Sequence, residues 1–294
     1  MKYQLSIFIL AILFFSNCSQ PAQNQENTSE ADKLGTVSFD FKGAEEAQPH
    51  FKKGLLLMHN FEYKDAREAF LEAQKIDSTF VMAHWGEVMT YNHPLWREQE
   101  YEDGQKALKK LAETREERTE MAASDLEKDF MAAVEILYGD GTKYFRDSSY
   151  SEHLKSMYEK YEGNHEVASF YALSILGAVP VGRDEKAAEK STKIVEGIIA
   201  ENPNHPGALH YMIHSNDDPT HAHLALNAAN AYSKVAADAA HALHMPSHIY
   251  VAVGMWDEVI SSNIASWNAS VNRKEAKELD NDALSYHALH WRMY

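Results

Sequence analysis

The fold of this chain is decided by the stretch 205–250, which reads HPGALHYMIHSNDDPTHAHLALNAANAYSKVAADAAHALHMPSHIY. Half of the sixteen histidines fall inside it. The tripeptide Ala-Leu-His occurs at 208–210, recurs at 242–244, and occurs once more at 288–290. The first two copies are 34 residues apart, which is the length of one helix-turn-helix unit in a repeat solenoid. The stretch therefore predicts stacked helical hairpins that carry histidine at equivalent positions.

Composition agrees with a large helical fold and limits the kinds of partner. The 294 residues are 45% hydrophobic, which is enough apolar material for several packed hairpins. The net charge of −16 argues against nucleic acid as a partner, because a nucleic-acid surface needs an excess of Lys and Arg.

The N-terminus resembles the signal peptide of a bacterial lipoprotein. Lys2 precedes an apolar run, residues 5–15, that is too short to span a bilayer. Cys18, the only cysteine, follows this run, and the resemblance implies that it is lipidated and anchors the protein to a membrane of the cell envelope. The alternative is an ordinary signal peptide with an incidental cysteine. Residues 1–18 are thus a predicted signal, and 19–45, rich in Ser, Gln, Asn and Glu, a predicted flexible linker.

Over residues 48–91 and 166–294 the sequence resembles tetratricopeptide-repeat proteins of bacteria. The predicted solenoid domain spans 46–294, with irregular helices expected at 98–163. The resemblance rests on small and aromatic residues at helix-packing positions, namely Gly54, Ala66, Phe70 and Ala73. It also rests on Pro203, where a unit ends, and on the fragment GMWDE at 254–258. It implies an all-α, tetratricopeptide-like solenoid of helical hairpins, wound as a right-handed superhelix. In such a solenoid the first helix of each hairpin lines a concave groove that binds proteins or peptides.

The histidines form pairs at helical spacing. His210 and His214 are four residues apart, as are His244 and His248, so each pair shares one helix face. The helices of the two pairs should pack side by side, making His210 a neighbour of His244 and His214 a neighbour of His248. Three more histidines lie at related positions, and we expect them within reach of the pairs: His241, His287 and His290.

Several imidazoles on one strip of surface favour a transition-metal site, with zinc, copper or iron as candidate ions. Met212 and Met245 lie beside the histidines and would favour copper, although methionine at helical spacing is more often a core residue. The alternatives are histidines that only pack in the groove, or that contact a bound peptide or anion. A metal-free scaffold that binds a protein partner in the envelope is therefore the rival function, and the sequence does not decide whether the protein is an enzyme.

Other polar residues are expected outside this site. Asp217, Asp218 and Glu258 are possible carboxylate ligands, but helix capping or surface exposure explains each more simply. His84 and His93 are assigned structural positions, and His205 is assigned to a turn. His221 and His223 are left out of the site, because they point to opposite sides of a helix start. Whether Tyr294 is the natural end of the protein is left open, although a solenoid that stops on a first helix leads us to expect a longer chain.

Overall fold

The computed structural model describes residues 33–293, and the fold over this range is all-α, as predicted. The predicted signal and Cys18 lie outside the described residues. In chain order the helices are α1 (Gln48–His59), α2 (Tyr63–Ile76), α3 (Val81–Met89), α4 (Tyr101–Leu111), α5 (Arg115–Met121), α6 (Asp125–Leu137), α7 (Lys143–Lys160), α8 (His165–Gly177), α9 (Glu185–Glu201), α10 (Pro206–Ser215), α11 (Ala222–Val235), α12 (Ala240–His244), α13 (Pro246–Val253), α14 (Trp256–Ala276) and α15 (Tyr286–Trp291).

Short elements complete the described chain. Three single turns of 3-10 helix occur at Glu45–Ala47, Pro94–Trp96 and Asn281–Ala283. The strands β1 (Asn92–His93) and β2 (Glu98–Gln99) form a small antiparallel hairpin. Within residues 33–293, none of the helices combines the length and the apolar character that crossing a bilayer would require.

Successive helices pack on one another in the manner of a helical-repeat solenoid. α8 packs on α9, α9 on α10 and α10 on α11; α11 then packs on α13, and α12 and α13 both pack on α14. The first histidine pair lies on α10, and the second is divided between α12, which ends at His244, and α13, which carries His248. α10 and α13 contact each other and share α11 as a neighbour. The irregular region contains α4 to α7, of which α7 packs on α8 and joins the two regular parts.

The first hairpin is held together by a ring that lies between glycines. Phe70 of α2 is fully buried against Gly54 of α1 and Gly86 of α3. A Cβ atom added at Gly54 would lie 2.7 Å from the Phe70 ring, closer than carbon atoms can pack. The absence of a side chain at Gly54 and Gly86 therefore lets α1 and α3 approach the ring of α2.

The turn between α1 and α2 meets the histidine-bearing repeats far along the chain. Asn60 accepts a hydrogen bond from the Tyr232 hydroxyl of α11 at 2.8 Å, and both side chains are buried. Asp65 of α2 receives two hydrogen bonds from the guanidinium of Arg273 in α14. The first hairpin is thus fixed against the last repeats, and this contact encloses the histidines.

Residues 33–44 run across the same junction, at the end of the segment predicted to be a linker. The amide of Thr36 donates to the carbonyl of Asn204 at 2.9 Å, and Leu34 and Phe41 are buried. Phe41 packs edge-on against Phe51 of α1. This part of the predicted linker is therefore packed against the helices.

We predict opposite effects on stability from two glycine-to-alanine substitutions in helices. Gly54→Ala should lower the free energy of unfolding by about 1–3 kcal/mol, because the added methyl group forces Phe70 out of place. Gly197→Ala should raise it by up to about 1 kcal/mol, because Gly197 lies within α9, no atom is within 4 Å of its added Cβ, and alanine favours the helix. Urea denaturation of both variants measures this, and equal shifts of the same sign would contradict the packing described.

Candidate metal centre

Six of the seven predicted histidines form two clusters of three. In the first trio the Nε2 atom of His210 lies 3.1 Å from Nε2 of His241 and 3.1 Å from Nε2 of His214. In the second trio Nε2 of His244 lies 3.0 Å from Nε2 of His248, and the ring of His287 lies 4.6 Å from that of His244. In each trio one nitrogen from every ring falls within 4.8 Å of the other two. Both clusters of residues can therefore hold a metal ion.

The two trios are built in the same way. Each combines a His-x-x-x-His pair with the histidine that immediately precedes the next Ala-Leu-His: His241 in the first trio, His287 in the second. His210 thus contacts His241, whereas the sequence led us to expect His244 as its neighbour. His290 lies on α15 with His287 but outside the trio, and its side chain is exposed.

The first trio is oriented by the first hairpin. Nδ1–H of His210 donates to the carbonyl oxygen of His59 at 2.8 Å, and His210 is fully buried. A neutral imidazole carries one N–H, so this bond leaves the lone pair on Nε2, which points at the other two rings. Phe61 lies behind the trio, with its ring 4.3 Å from that of His210. Its backbone has a φ of 57°, which is unfavourable for a bulky residue and marks a position held by its surroundings.

Two rings of the second trio, His244 and His248, are oriented in the same way as His210, with Nδ1–H donated to a neighbouring group. Nδ1–H of His244 donates to Oδ1 of Asn263 at 2.6 Å, and the amide nitrogen of Asn263 donates to Val259, which fixes the orientation of this amide. Nδ1–H of His248 donates to the carboxylate of Asp217 at 2.8 Å. Both Nε2 atoms therefore carry lone pairs when the rings are neutral, and these lone pairs face each other across 3.0 Å. Two lone pairs at this distance repel unless a cation lies between them.

The spacing and the charge state both suit a metal. Nitrogens bound at about 2.0–2.1 Å to one tetrahedral ion stand roughly 3.3 Å apart, close to the separations in both trios. Burial, together with repulsion from neighbouring imidazoles, holds the pKa of His210 and of His241 well below the usual range. The same causes lower the pKa of His214 and of His244 to about 3. These rings are therefore neutral at ordinary pH, which is the form that binds transition metals.

Both trios open onto one cavity of about 610 Å³, here called the histidine cavity. His214, His241, His244, His248 and His287 all line it. Trp96 lies on its wall, half exposed, with its ring 5.8 Å from that of His241. An ion held by either trio would have access, through this cavity, to solvent and to small molecules.

A second cavity of about 760 Å³ is larger but chemically plainer. It lies on the other side of Arg273, which lines both cavities. Its charged wall consists largely of opposite charges already paired with each other, such as Lys277 with Asp65 and Glu68. None of the possible metal-binding clusters of the described chain lines it.

A third group of possible ligands was not anticipated as a cluster from the sequence. His59, Glu166 and His205 are fully buried together, and we call them the buried triad. His59 and His205 both donate to the Glu166 carboxylate, and although burial opposes it, they lower the pKa of Glu166 to about 2. The other ring nitrogens accept hydrogen bonds, His59 from the Tyr211 hydroxyl and His205 from the amide of Ala208. All four ring nitrogens are thus paired, so this triad is complete without a metal.

The remaining histidines lie where the sequence placed them, away from the trios. His84 contacts the carbonyl of Ser78, His93 packs on Tyr63, His221 pairs with Asp218, and His223 is exposed. His205 caps α10 through the amide of Ala208, in addition to joining the buried triad. None of these five belongs to either trio.

The carboxylates and methionines considered as possible ligands in the sequence lie outside the two trios. Asp217 orients His248 from outside the trio, Asp218 pairs with Arg183, and Glu258 is exposed on α14. Met245 lines the histidine cavity, between α12 and α13, where Pro246 has no amide hydrogen to continue the helix. Met212 is buried against Asn216.

Comparison with known proteins does not assign the site. No model of a protein family matches the chain. A search of curated proteins likewise finds no match. The resemblance to tetratricopeptide repeats therefore stays a prediction.

We predict that the metal-free protein loses stability as the pH falls from about 6.5 toward 3. In the unfolded chain a histidine takes up a proton near pH 6.5. In the folded protein His214 has a pKa of about 3, so its ring takes up a proton only when the pH falls to about that value. The unfolded chain therefore binds more protons in this window, and the free energy of unfolding falls with pH, by about 1–2 kcal/mol for one such residue between pH 7 and pH 5. Urea denaturation at both pH values should show a smaller fall for His214→Gln than for wild type and for the exposed control His223→Gln. An equal fall in all three would contradict the burial of a neutral His214.

Proposed function

We propose that this protein binds transition-metal ions through the two histidine trios, and that it does so at the surface of a membrane in the bacterial envelope. Each ion is held by three neutral imidazoles and keeps at least one coordination position open to the histidine cavity. The trios are His210, His214 and His241, and His244, His248 and His287.

One observation carries this proposal. The Nε2 atoms of His244 and His248 lie 3.0 Å apart, and the Nδ1–H of each ring is already donated to Asn263 and Asp217. This is the arrangement in which a metal-ligating histidine is held by a hydrogen-bonded partner behind it. Packing alone would not favour two lone pairs that face each other, whereas a metal ion satisfies both.

The donor set limits the chemistry. Neutral imidazole suits copper, zinc, nickel and iron, and three such ligands with a free position are typical of sites that bind a further ligand on the metal. A metal in such a site would supply Lewis acidity to a ligand in the cavity. The protein residues bind and orient the ion: Asp217, Asn263 and the carbonyl of His59 fix the rings from behind.

The envelope location rests on the sequence. The apolar run before Cys18 supports export, and the cysteine at its end supports lipid attachment. A site made only of histidine nitrogens suits this setting, because it contains no thiol that an oxidising compartment would convert to disulfide.

We expect the purified full chain, prepared without a histidine tag, to retain or regain about two metal ions, one for each trio. His210→Ala should remove one ion and His244→Ala the other, because each residue carries a central Nε2 of its trio. His84→Ala, a buried histidine outside both trios, should bind as wild type does. Elemental analysis after chelation and reloading with Zn, Cu, Fe or Ni gives the stoichiometry.

Asp217→Asn is a second test of metal binding, and it leaves all six histidine ligands in place. Losing the carboxylate behind His248 should weaken metal binding by about 10–100-fold. Asp218→Asn is the matched control, because Asp218 also pairs with a histidine, His221, that belongs to neither trio. If no metal binds tightly to wild-type protein, the proposal is wrong, and a metal-free scaffold becomes the better account of the cavity.

Membrane attachment is tested at Cys18. Cys18→Ser should leave the precursor unprocessed or release the protein from the membrane fraction, because serine provides no thiol for lipidation. Fractionation and gel mobility of the mutant protein give the answer, with Ser19→Ala as the control. A mutant that fractionates and migrates like wild type would contradict lipid anchoring.

A further inference from the structure

Helix α12 contributes one ligand to each trio. His241 belongs to the first trio and His244 to the second, and they are separated by less than one helical turn. Their ring centroids are 6.3 Å apart. Because each ring points its Nε2 at a different set of partners, two ions bound by the trios would be neighbours across a single turn of helix.

Both trios are closed at the back and open at the front. Behind the first trio lies the ring of Phe61, and behind the second lies Asn263, with Trp291 packed on His248 at 4.5 Å between centroids. The open side of both trios is the histidine cavity, which five of the six imidazoles line. The free coordination positions of the two ions thus face the same space.

We propose that the two trios hold a paired centre, in which two metal ions share one small oxygen-donor ligand, such as hydroxide, in the histidine cavity. This inference rests on the proposed metal-binding function. In known two-metal sites the ions are about 3.5–4 Å apart and bind opposite sides of a shared ligand or substrate. His241 and His244 lie on one helical turn with their ring centroids 6.3 Å apart, which places the two trios side by side.

The pairing also defines the ligand that the cavity accepts. A molecule that bridges the ions must present a small oxygen or nitrogen donor, while the cavity of about 610 Å³ leaves space for the rest of it beside Trp96 and Leu95. An aromatic or apolar body with an anionic end fits this combination of walls. Azide serves as the probe, because it is a small anion that bridges neighbouring metal ions.

Copper(II) loading of the full chain tests the pairing. Wild-type protein should bind about two copper ions, yet its electron paramagnetic resonance signal should be far weaker than that of two separate ions, because a shared oxygen ligand couples their spins. Azide should change the spectrum in a single step. His287→Ala should remove the second ion and restore the full signal of the one that remains.

A control variant and the possible results distinguish the paired centre from metal binding by separate trios. His290→Ala changes an exposed histidine of the same helix, outside the trio, and should leave the coupled wild-type spectrum unchanged. If wild-type protein binds two copper ions that give the full signal of two separate ions, the pairing is wrong but metal binding stands. A single copper ion in wild-type protein would have the same consequence. No bound copper would overturn both. If His287→Ala unfolds, the metal–metal scattering peak in the X-ray absorption of copper-loaded wild type decides the question.

Discussion

The hydrogen bond from Nδ1 of His210 to the carbonyl oxygen of His59 joins the two parts of the molecule on which the site depends. His59 is the last residue of α1, and α10 is more than a hundred residues further along the chain. The bond places the turn after α1 against the histidine repeats and fixes the tautomer of His210. The side chain of His59 is in turn hydrogen-bonded to Glu166 and Tyr211, so a buried network supports the residue that provides this carbonyl. A fully satisfied buried network of this kind gives a rigid support for ligands.

The repeat period explains why there are two trios. One unit supplies a His-x-x-x-His pair, and the following unit supplies the third ring from the start of its first helix. Stacking of units brings these three positions together, so every neighbouring pair of histidine-bearing units can form the same site. The insertion between the second and third copies of Ala-Leu-His lengthens α14 and the turn after it without changing the local geometry of the trio. Duplication of a single arrangement thus gives the chain two histidine clusters built in the same way.

The sequence predicted the helical class and named the six histidines that lie together in the two trios, but not how the rings are grouped. The 34-residue recurrence placed α10 and α13 in contact, and spacing of four placed His244 over His248. Local periodicity determines such pairs, because they lie on one helix face. The grouping of His241 with His210 depends on how two hairpins are rotated against each other, and one sequence does not give that angle. A signal was nevertheless present, since His241 and His287 recur at the same place relative to Ala-Leu-His.

Contacts between segments that are far apart in the chain could not be predicted from the sequence, for another reason. Phe61, Asn263 and the buried triad lie in no repeat of the histidine motif, and nothing in their local spacing points to the site. Phe61 and the buried triad depend on the closure of the first hairpin on later helices, which is a long-range arrangement. Asn263 instead reaches His244 through the packing of α14 on α12. The packing of residues 33–44, at the end of a segment whose composition favours flexibility, belongs to the same closure.

The most direct test of this account is anomalous X-ray diffraction from crystals of the chain loaded with copper or zinc. We predict two anomalous peaks, each about 2.0–2.1 Å from the Nε2 atoms of one trio, and both on the wall of the histidine cavity. The buried triad should hold no peak, because its ring nitrogens are already paired. A peak in the buried triad, or trios without metal in protein exposed to an excess of these ions, would contradict the account.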